Sequence, residues 1–394
     1  MLPFFLFIKM HNDFVDMYKN YIAIIGAGIS GLTLGIVLKK QNIPCIIFEK
    51  LTSISEYGAG ISISRNGKKV LEELEVLNKL KIISGNPKST HFICNNKEIT
   101  SFEVDHLTTS RKALHKVLLD KYISLNGKIN FNYELVNIDN KKKLLSFSNN
   151  QNLYVNHIAA CDGIKSVCRD SLLKNNSKPI YSGYSVWRSI FNKEQHHIEF
   201  HLGPNFHVVT YPINDKKTSF VAAIKTKEST KESWRKKGSF SELQTEVLSN
   251  VLERYPSLQD ANEIYKWGVY TRKNIDKLFL DNITFLGDAA HPIVPFMGQG
   301  GCLAIEDGYI FGSLVSKFKN DYKRSQLIYK DLRLDRVKDI HSKSLNQAKF
   351  NHLKNPILIF FRNFLMKYTN IIHNITKSVW GYNAKEEINK IRLP

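Results

Sequence analysis

The strongest constraint on the fold is a short glycine-rich turn set between two apolar stretches. Residues 21–25 read as a buried strand, GAGISG follows at 26–31, and LTLGIVLKK continues as an apolar helix. A second apolar strand at 45–48 ends on Glu49. A G-x-G-x-x-G turn between strand and helix, with an acid about 20 positions on, is the arrangement that binds a dinucleotide. Gly26 permits the tight turn, Gly28 lets the backbone approach a diphosphate, and Gly31 lets helix and strand pack closely. Amide groups at the helix N-terminus stabilise the phosphate charge, and Glu49 is placed for the ribose hydroxyls. Ala27 inside the turn and Lys50 after the acid complete the expected contacts. The motif predicts a Rossmann-type domain but does not separate NAD from FAD.

Three further segments extend this domain. EYGAGISISRNGKKVLEEL (56–74) holds a glycine-rich bend, a short strand at 61–64 and an amphipathic helix. SRKALHKVLLDKY (110–122) places Arg111 at a helix start, within reach of a phosphate or a ribityl oxygen. HIAACDGIKSVCRDSL (157–172) delivers Asp162 and Gly163 at the end of a strand, with Ser166 and Arg169 behind them. Far along the chain lies FLGDAAHPIVPFMGQGGCLAIEDG (285–308). An apolar strand there ends in Gly287-Asp288, and two prolines stiffen the loop that follows. The run Gly298-Gln299-Gly300-Gly301 then leads into a helix near Cys302.

Between these segments the pattern changes to period two. Residues 181–191, 197–202, 207–213 and 219–226 read as strands, and 240–254 as a helical stretch, before KWGVYTR (266–272) leads back. In FHVVTYPI (206–213) the alternation puts His207, Val209 and Tyr211 on one face, with His207 and Tyr211 about 13 Å apart. An imidazole in such a place can act as a base near neutral pH, or it can be a half-buried sheet residue.

The order of GAGISG with Glu49, then Arg111 with Leu114, then CDGIKSVCR, then GDAAHPIVPFMGQGG is similar to that of single-component flavin-dependent aromatic hydroxylases. The chain resembles the FAD monooxygenases that include salicylate and 3-hydroxybenzoate hydroxylases. The likeness runs from about Tyr21 to Trp380-Gly381-Tyr382. It implies an α/β fold: a Rossmann-type FAD domain, an inserted antiparallel-sheet substrate domain and C-terminal helices. The FAD domain is then built from residues 19–80, 101–178 and 271–340, the substrate domain from 81–100 and 179–270. Residues 341–394 form the C-terminal helical segment.

The resemblance also implies roles. Asp288 with Gly287 binds the ribityl–phosphate part of FAD, and Pro295, Gly298, Gln299, Gly300 and Gly301 lie against the isoalloxazine ring. Asp162 supports the diphosphate and a transient NADH or NADPH. The string GPNFHVVTYPI is similar to the hydroxylases in which the matching His and Tyr face a phenol, which makes His207 and Tyr211 the catalytic candidates. Arg188, in GYSVWRSIF, shapes the site or draws a carboxylate, with a surface ion pair as the alternative; Pro295 is a second substrate contact. The implied reaction hydroxylates an aromatic ring with NAD(P)H and O₂ through a flavin C4a-hydroperoxide. Two alternatives stay open: a hydroxylase of a quinone precursor or epoxidase of an isoprenoid, and a flavoprotein reductase that transfers electrons without activating oxygen.

Charge and composition narrow the partners. The formal net charge is +20, yet the lysines are scattered with no long basic run, so nucleic acid is not expected. The five cysteines form no CxxC pair, so no metal site is expected and reduced thiols in the cytoplasm are the simplest reading. The opening MLPFFLFIK lacks a basic leader and a cleavage site, and Met10 or Met17 is an equally good start. The stretch LKNPILIFFRNFLMKYTNIIHNITKSVW (353–380) is apolar and basic. It reads as a helix packed on the FAD domain, with a peripheral place at the inner membrane surface as the other reading. The expected partners are a small aromatic or lipid-like substrate and O₂, with the protein a monomer or homodimer.

Overall fold

The computed structural model describes residues 15–53, 60–173, 178–226, 237–261, 263–272 and 275–392. The segment MLPFFLFIK and Met10 lie outside the described residues. A six-stranded sheet carries the dinucleotide motif. Its order is Phe279–Leu280, Ile283–Phe285, His157–Ala160, Ile22–Ile25, Cys45–Phe48, Ile129–Asn130. All neighbours run parallel except the edge strand Phe279–Leu280. The central strands are buried along their whole length, as unbroken apolar runs such as IAII and CIIF require in a sheet covered on both faces. Helices cover one side, and the three-stranded sheet Leu135–Asp139, Leu144–Phe147, Asn152–Tyr154 covers the other, through Phe147 against Phe48 at 4.9 Å between ring centroids.

The covering helices Ile29–Lys40 and Gly300–Lys317 pack backbone to backbone. A Cβ at Gly308 would lie 2.8 Å from the Ser30 carbonyl oxygen and the Leu34 nitrogen, so only glycine permits that approach. This contact brings a helix almost three hundred residues along the chain onto the first turn of the fold. Gly31 does the same within the motif, where a Cβ would stand 2.1 Å from the Gly26 oxygen.

The second sheet has seven strands, in the order Ile264–Thr271, Ile180–Asn192, Lys217–Lys225, Phe206–Pro212, Ile198–Gly203, Ser89–Cys94, Lys97–Glu103. It is antiparallel apart from Ile198–Gly203, which runs parallel to Ser89–Cys94. Period-two patterning sends Phe206 and Val208 to a core under the helices Phe240–Glu246 and Ser249–Leu252. The expected single helix over 240–254 is broken because Val247 adopts an extended backbone, φ −120° and ψ 137°. Residue 100 falls inside the strand Lys97–Glu103, and residue 341 inside the 30-residue helix Tyr322–Asn351.

The stretch 353–380 divides into two helices: Ile371–Trp380 packs as expected, its Val379 against Leu303 of the helix Gly300–Lys317, whereas the first does not. Pro356–Tyr368 lies on the edge of the large sheet, where its Met366 joins Phe92, Cys94, Ile99 and Leu202. The buried guanidinium of Arg362 donates to the Asn351 carbonyl at 3.1 Å and to Cys94 Sγ at 3.3 Å. The large sheet, and not the parallel sheet, is the neighbour of this helix. All five cysteines are free and buried.

Candidate active site between the two sheets

A cavity of about 360 Å³ lies between the glycine turn, the Gly287–Gly301 loop and the inner face of the large sheet. Three helix N-termini border it. The helix Ile29–Lys40 starts at Gly28 and Gly300–Lys317 at Gln299; neither has a side-chain cap or an acid in its first turn. Arg111 opens the third, Arg111–Ser124, which is capped by Ser110 through Ala113 N at 3.1 Å. Uncapped amides and a guanidinium facing one space favour an anion there.

The glycines divide into two kinds. Gly26 has φ +100° and packs on the Cys161 carbonyl, where a Cβ would stand 2.6 Å away. Gly28, Gly163, Gly298 and Gly300 have nothing within 4 Å of such a Cβ, and all four line the cavity. The first kind is needed to make the turn, the second leaves room for a ligand against bare backbone. At Gly301 the nearest atom to a Cβ is Ile61 Cδ1 at 2.6 Å. A diphosphate with a flat ring system fits this cradle.

Glu49 accepts from the Ala27 amide at 2.8 Å and from the Leu51 amide at 3.0 Å. The carboxylate therefore ties the motif turn to the end of the second strand, and His115 adds a contact of 2.6 Å from Nε2 to the Ala27 oxygen. Lys50 is exposed. Asp288 lines the cavity, to which its own surface is open. Desolvation by the surrounding cavity walls pushes its carboxyl up, while Arg111 and His291 pull it down. Gly287 sits behind it with φ +58°.

Gln299 and Asp162, both expected at the cofactor, use their side chains in hydrogen bonds within the protein. Gln299 does not border the cavity: it is 1% exposed, its Nε2 donates to Ser64 Oγ at 2.9 Å, and its Oε1 accepts from Asn66 Nδ2 at 3.1 Å. It fastens the glycine loop to the segment after the strand Gly60–Ile63. Asp162 Oδ2 accepts from the Cys168 amide at 3.0 Å and caps the helix Val167–Leu173. Its Oδ1 is buried with no hydrogen-bond partner, and burial raises its pKa against the pull of Ser166 and Cys168. The neighbours Cys161, Gly163 and Ile164 form the wall.

A buried ionic frame behind the loop escaped the motif reading. Asp307 Oδ2 accepts from the Gly287 amide at 2.8 Å and contacts His291 Nε2 at 2.6 Å, while Oδ1 accepts from Arg333 Nε at 2.7 Å. Glu306 takes Arg333 Nη1 at 2.6 Å, Arg336 Nη2 at 2.7 Å and Asn66 Nδ2 at 2.7 Å. Burial works to raise both carboxyls, but His291 and Arg333 around Asp307, and Arg336 and Arg333 around Glu306, hold them low. The signal for this frame was present in IEDG and in the His of GDAAHP. Its partner Arg333 lies in a helix that carries no motif.

On the opposite wall the strand Phe206–Pro212 presents His207, Val209 and Tyr211 to the cavity. His207 Nδ1 lies 2.7 Å from Nε2 of His352, at the C-terminal cap of the helix Tyr322–Asn351. Burial lowers the pKa of His207 well below the ordinary histidine value, and His352 adds to the effect. The His352 imidazole is itself pushed down to about 4, by burial and then by Lys225. Both rings are therefore neutral near pH 7. Phe296, beside Pro295 on the glycine loop, meets the His207 ring edge to face at 5.4 Å. Tyr211 is pushed up by burial, with Arg188 and Ser219 opposing. Arg188 is no surface residue: it lines the cavity and its guanidinium lies 5.0 Å from the Trp267 ring centroid. His352 carries no motif, so only the fold reveals it. The described residues hold no cluster that could bind a metal ion.

A parallel dinucleotide sheet facing a large, mainly antiparallel sheet across one cavity is the architecture of the single-component FAD-dependent monooxygenases, oxidoreductases reduced by NAD(P)H. The chain belongs to the FAD binding domain family, whose model matches residues 19–344. It is 26% identical over 357 residues to 3-amino-4-hydroxybenzoate 2-monooxygenase PtmB3 of Streptomyces platensis, covering 84% of this chain and 88% of that one. To 3-hydroxybenzoate 6-hydroxylase of Klebsiella oxytoca it is 25% identical over 392 residues, covering 92% and 96%. Among solved structures, Klebsiella pneumoniae HpxO complexed with FAD and uric acid shares the fold. The TM-score is 0.80 at 20% identity, over 91% of this chain and 96% of that one.

Proposed function

We propose that the protein hydroxylates the ring of a phenol held between the glycine loop and the strand Phe206–Pro212. The observation that carries this reading is the cavity-facing His207, held neutral, its Nδ1 occupied by His352. Bound FAD supplies hydride acceptance from NAD(P)H and delivery of one oxygen atom of O₂ to the ring, the other leaving as water. Gly28 and the helix N-terminus behind it, in a turn that Gly26 and Gly31 make possible, would hold the diphosphate, and Glu49 would hold the ribose. Arg111 and Asp288 take the ribityl–phosphate part. Pro295, Gly298, Gly300 and Gly301 form the bed for the flat ring, with the N-terminus of Gly300–Lys317 stabilising negative charge on it.

His207 then has one proton to move. When its Nδ1–H is donated to His352, Nε2 is the remaining lone pair and receives the proton of the phenol oxygen. The ring becomes electron-rich as its oxygen approaches phenolate. The second imidazole accepts the Nδ1–H bond and thereby shares the positive charge that arrives. Arg188, on the same sheet face and in register with Val221 and Val209, favours the phenolate electrostatically. Val186, Ile198, Phe200, Val209 and Val221 keep water from this space.

The test is His207→Gln, assayed for product and peroxide together. FAD content stays unchanged, because the residue belongs to the large sheet. Hydroxylation falls by about 10²–10⁴-fold, the usual share of a general base. It recovers as pH approaches the phenol's own pKa, with NAD(P)H oxidation diverted to H₂O₂ below that. Normal hydroxylation at neutral pH in this variant refutes the assignment.

The same chemistry serves a small aromatic or a lipid-like substrate, and the helix Pro356–Tyr368 favours a membrane-facing setting. Its outer side is apolar, and no acid occurs between Asp339 and Glu386. We read it as a peripheral contact with an anionic bilayer; no described helix is long and apolar enough to cross one. Sedimentation with phosphatidylglycerol vesicles at low salt, lost at high salt, checks this.

A further inference from the structure

The helix Pro356–Tyr368 is started by Pro356 and by Asn355, whose Oδ1 accepts from the Ile357 and Leu358 amides at 2.9 and 3.3 Å. Its two sides have different neighbours. Toward the protein only Arg362 and Met366 are buried. Outward it shows Ile357, Leu358, Phe360, Phe361, Phe364 and Tyr368, with Phe360 and Tyr368 each 65% exposed. Phe364 and Tyr368 meet as a tilted ring pair, 4.9 Å between centroids. A soluble surface rarely keeps so many large apolar side chains together on one element.

Along the chain, the charges on either side of this helix have one sign. Lys349, Lys354, Lys367 and Lys377 flank it, and no Asp or Glu lies between Asp339 and Glu386. An apolar strip rimmed by lysines matches the headgroup boundary of an anionic bilayer, which takes the rings into its acyl edge and the ammonium groups at its surface.

The inner side of the same helix reaches the active-site cavity. Met366 lines it, together with Phe350 from the preceding helix and Ile372, Ile375 and Thr376 from the helix Ile371–Trp380. The lining of the cavity thus extends from His207 and the glycine loop into an arm beside these two helices, where Phe350, Met366, Ile372 and Ile375 are the apolar members and Gln347, Asn351 and Thr376 the polar ones. A helix is about 10–12 Å across with its side chains, so one element separates the arm from the exposed strip.

We propose that the substrate is an aromatic hydroxyl compound bearing an apolar tail, taken directly from the bilayer between the helices Pro356–Tyr368 and Ile371–Trp380. The ring lies at His207, and the tail fills the arm along Phe350, Met366, Ile372 and Ile375. This rests on the phenol-hydroxylase reading and on the bilayer contact above, and adds the substrate class and its route. A small charged phenol would leave the arm filled by water against apolar walls, an unfavourable state.

The experiment uses the full-length FAD-loaded protein and 4-alkylphenols from methyl to octyl. They are presented in buffer, in phosphatidylcholine vesicles, and in vesicles of phosphatidylcholine with phosphatidylglycerol. Product formation is read beside the shift that each phenol induces in the flavin absorption spectrum. In buffer, affinity is expected to rise about threefold to fourfold per methylene until the arm is full. For octyl phenol, turnover is expected to be higher with anionic vesicles than with neutral ones. Phe360→Ser combined with Phe361→Ser, outside the cavity, abolishes that vesicle gain and leaves turnover of methyl phenol in buffer unchanged.

Affinity independent of tail length overturns the proposal. So does vesicle-bound octyl phenol turned over no faster in wild type than in the double variant. A concentration-dependent dimer that dissociates in the double variant gives the face to a second copy of the chain and overturns it too. Tail-dependent spectral shifts without any hydroxylated product remove the hydroxylase reading but keep the tailed ligand. Hydroxylation of short phenols alone does the reverse.

Discussion

His207 Nδ1 and His352 Nε2 stand 2.7 Å apart inside the protein, from a strand and a helix end 145 residues apart in the chain. The two rings are held neutral, one by burial and its partner, the other by burial and Lys225. In the unfolded chain both titrate at the ordinary value of 6.5. Between that value and the folded one, the unfolded state binds more protons, so stability rises with pH. The contribution is fully present above pH 6.5 and lost as pH falls toward about 4.

Thermal melts of wild type and His352→Gln from pH 7.5 to 4 read this directly. His106, also pushed down to about 4 by burial, contributes to the fall in both proteins. The difference between the two curves reports the pair. It is expected to shrink with acid by on the order of 2–3 kcal/mol. Parallel curves show that the pair does not titrate as described.

Gly28→Val and Gly31→Val should fail in opposite ways. A side chain at Gly28 meets nothing within 4 Å, so the chain folds with an unchanged melt and loses FAD. At Gly31 the new Cβ stands 2.1 Å from the Gly26 oxygen, so the fold itself is lost or weakened by several kcal/mol. Calorimetry of the apoproteins, followed by FAD titration, separates the two.

Asp307→Asn removes the charge that balances Arg333 and grips the Gly287 amide. Both residues are fully buried, and the remaining Glu306 also serves Arg336. A loss of about 3 kcal/mol or more in denaturant unfolding is expected. FAD affinity falls with it, because the loop carrying Asp288 is released. Unchanged unfolding with unchanged flavin content contradicts the frame.

Asp288→Ala tests the cofactor end alone. Its carboxylate lines the cavity near Arg111 and feels the Asp307 frame only through the charges of His291 and Asp307. FAD affinity should drop about tenfold or more, the scale of a lost charge-assisted hydrogen bond. The apoprotein melt stays within about 0.5 kcal/mol of wild type. Wild-type affinity removes Asp288 from the cofactor contacts.

Much of this molecule is legible in local chemistry. GAGISG needs its glycines for a positive φ and for close packing. IAII and CIIF are apolar throughout because both faces of their sheet are covered, and FHVVTYPI alternates because one face meets a cavity. Each of these is a property of a few neighbouring residues, and the sequence by itself determined them. It also determined that Gly287–Gly301 approaches a helix start, and it showed a basic, apolar stretch near the C-terminus. Other features depend on which distant surfaces meet. Gln299 turned from the cofactor to Ser64 and Asn66 because the helix after the strand Gly60–Ile63 lies behind the loop. Arg333 found Glu306 and Asp307, and His352 found His207, across helices whose sequences carry no motif. The apolar tail helix could have buried its rings on the FAD domain. Instead, Arg362 and Met366 seat it on the large sheet and turn the rings outward. Periodicity is set by backbone geometry within a turn or a pleat, whereas these pairings depend on shape and charge matched across the whole fold, which only the tertiary structure decided.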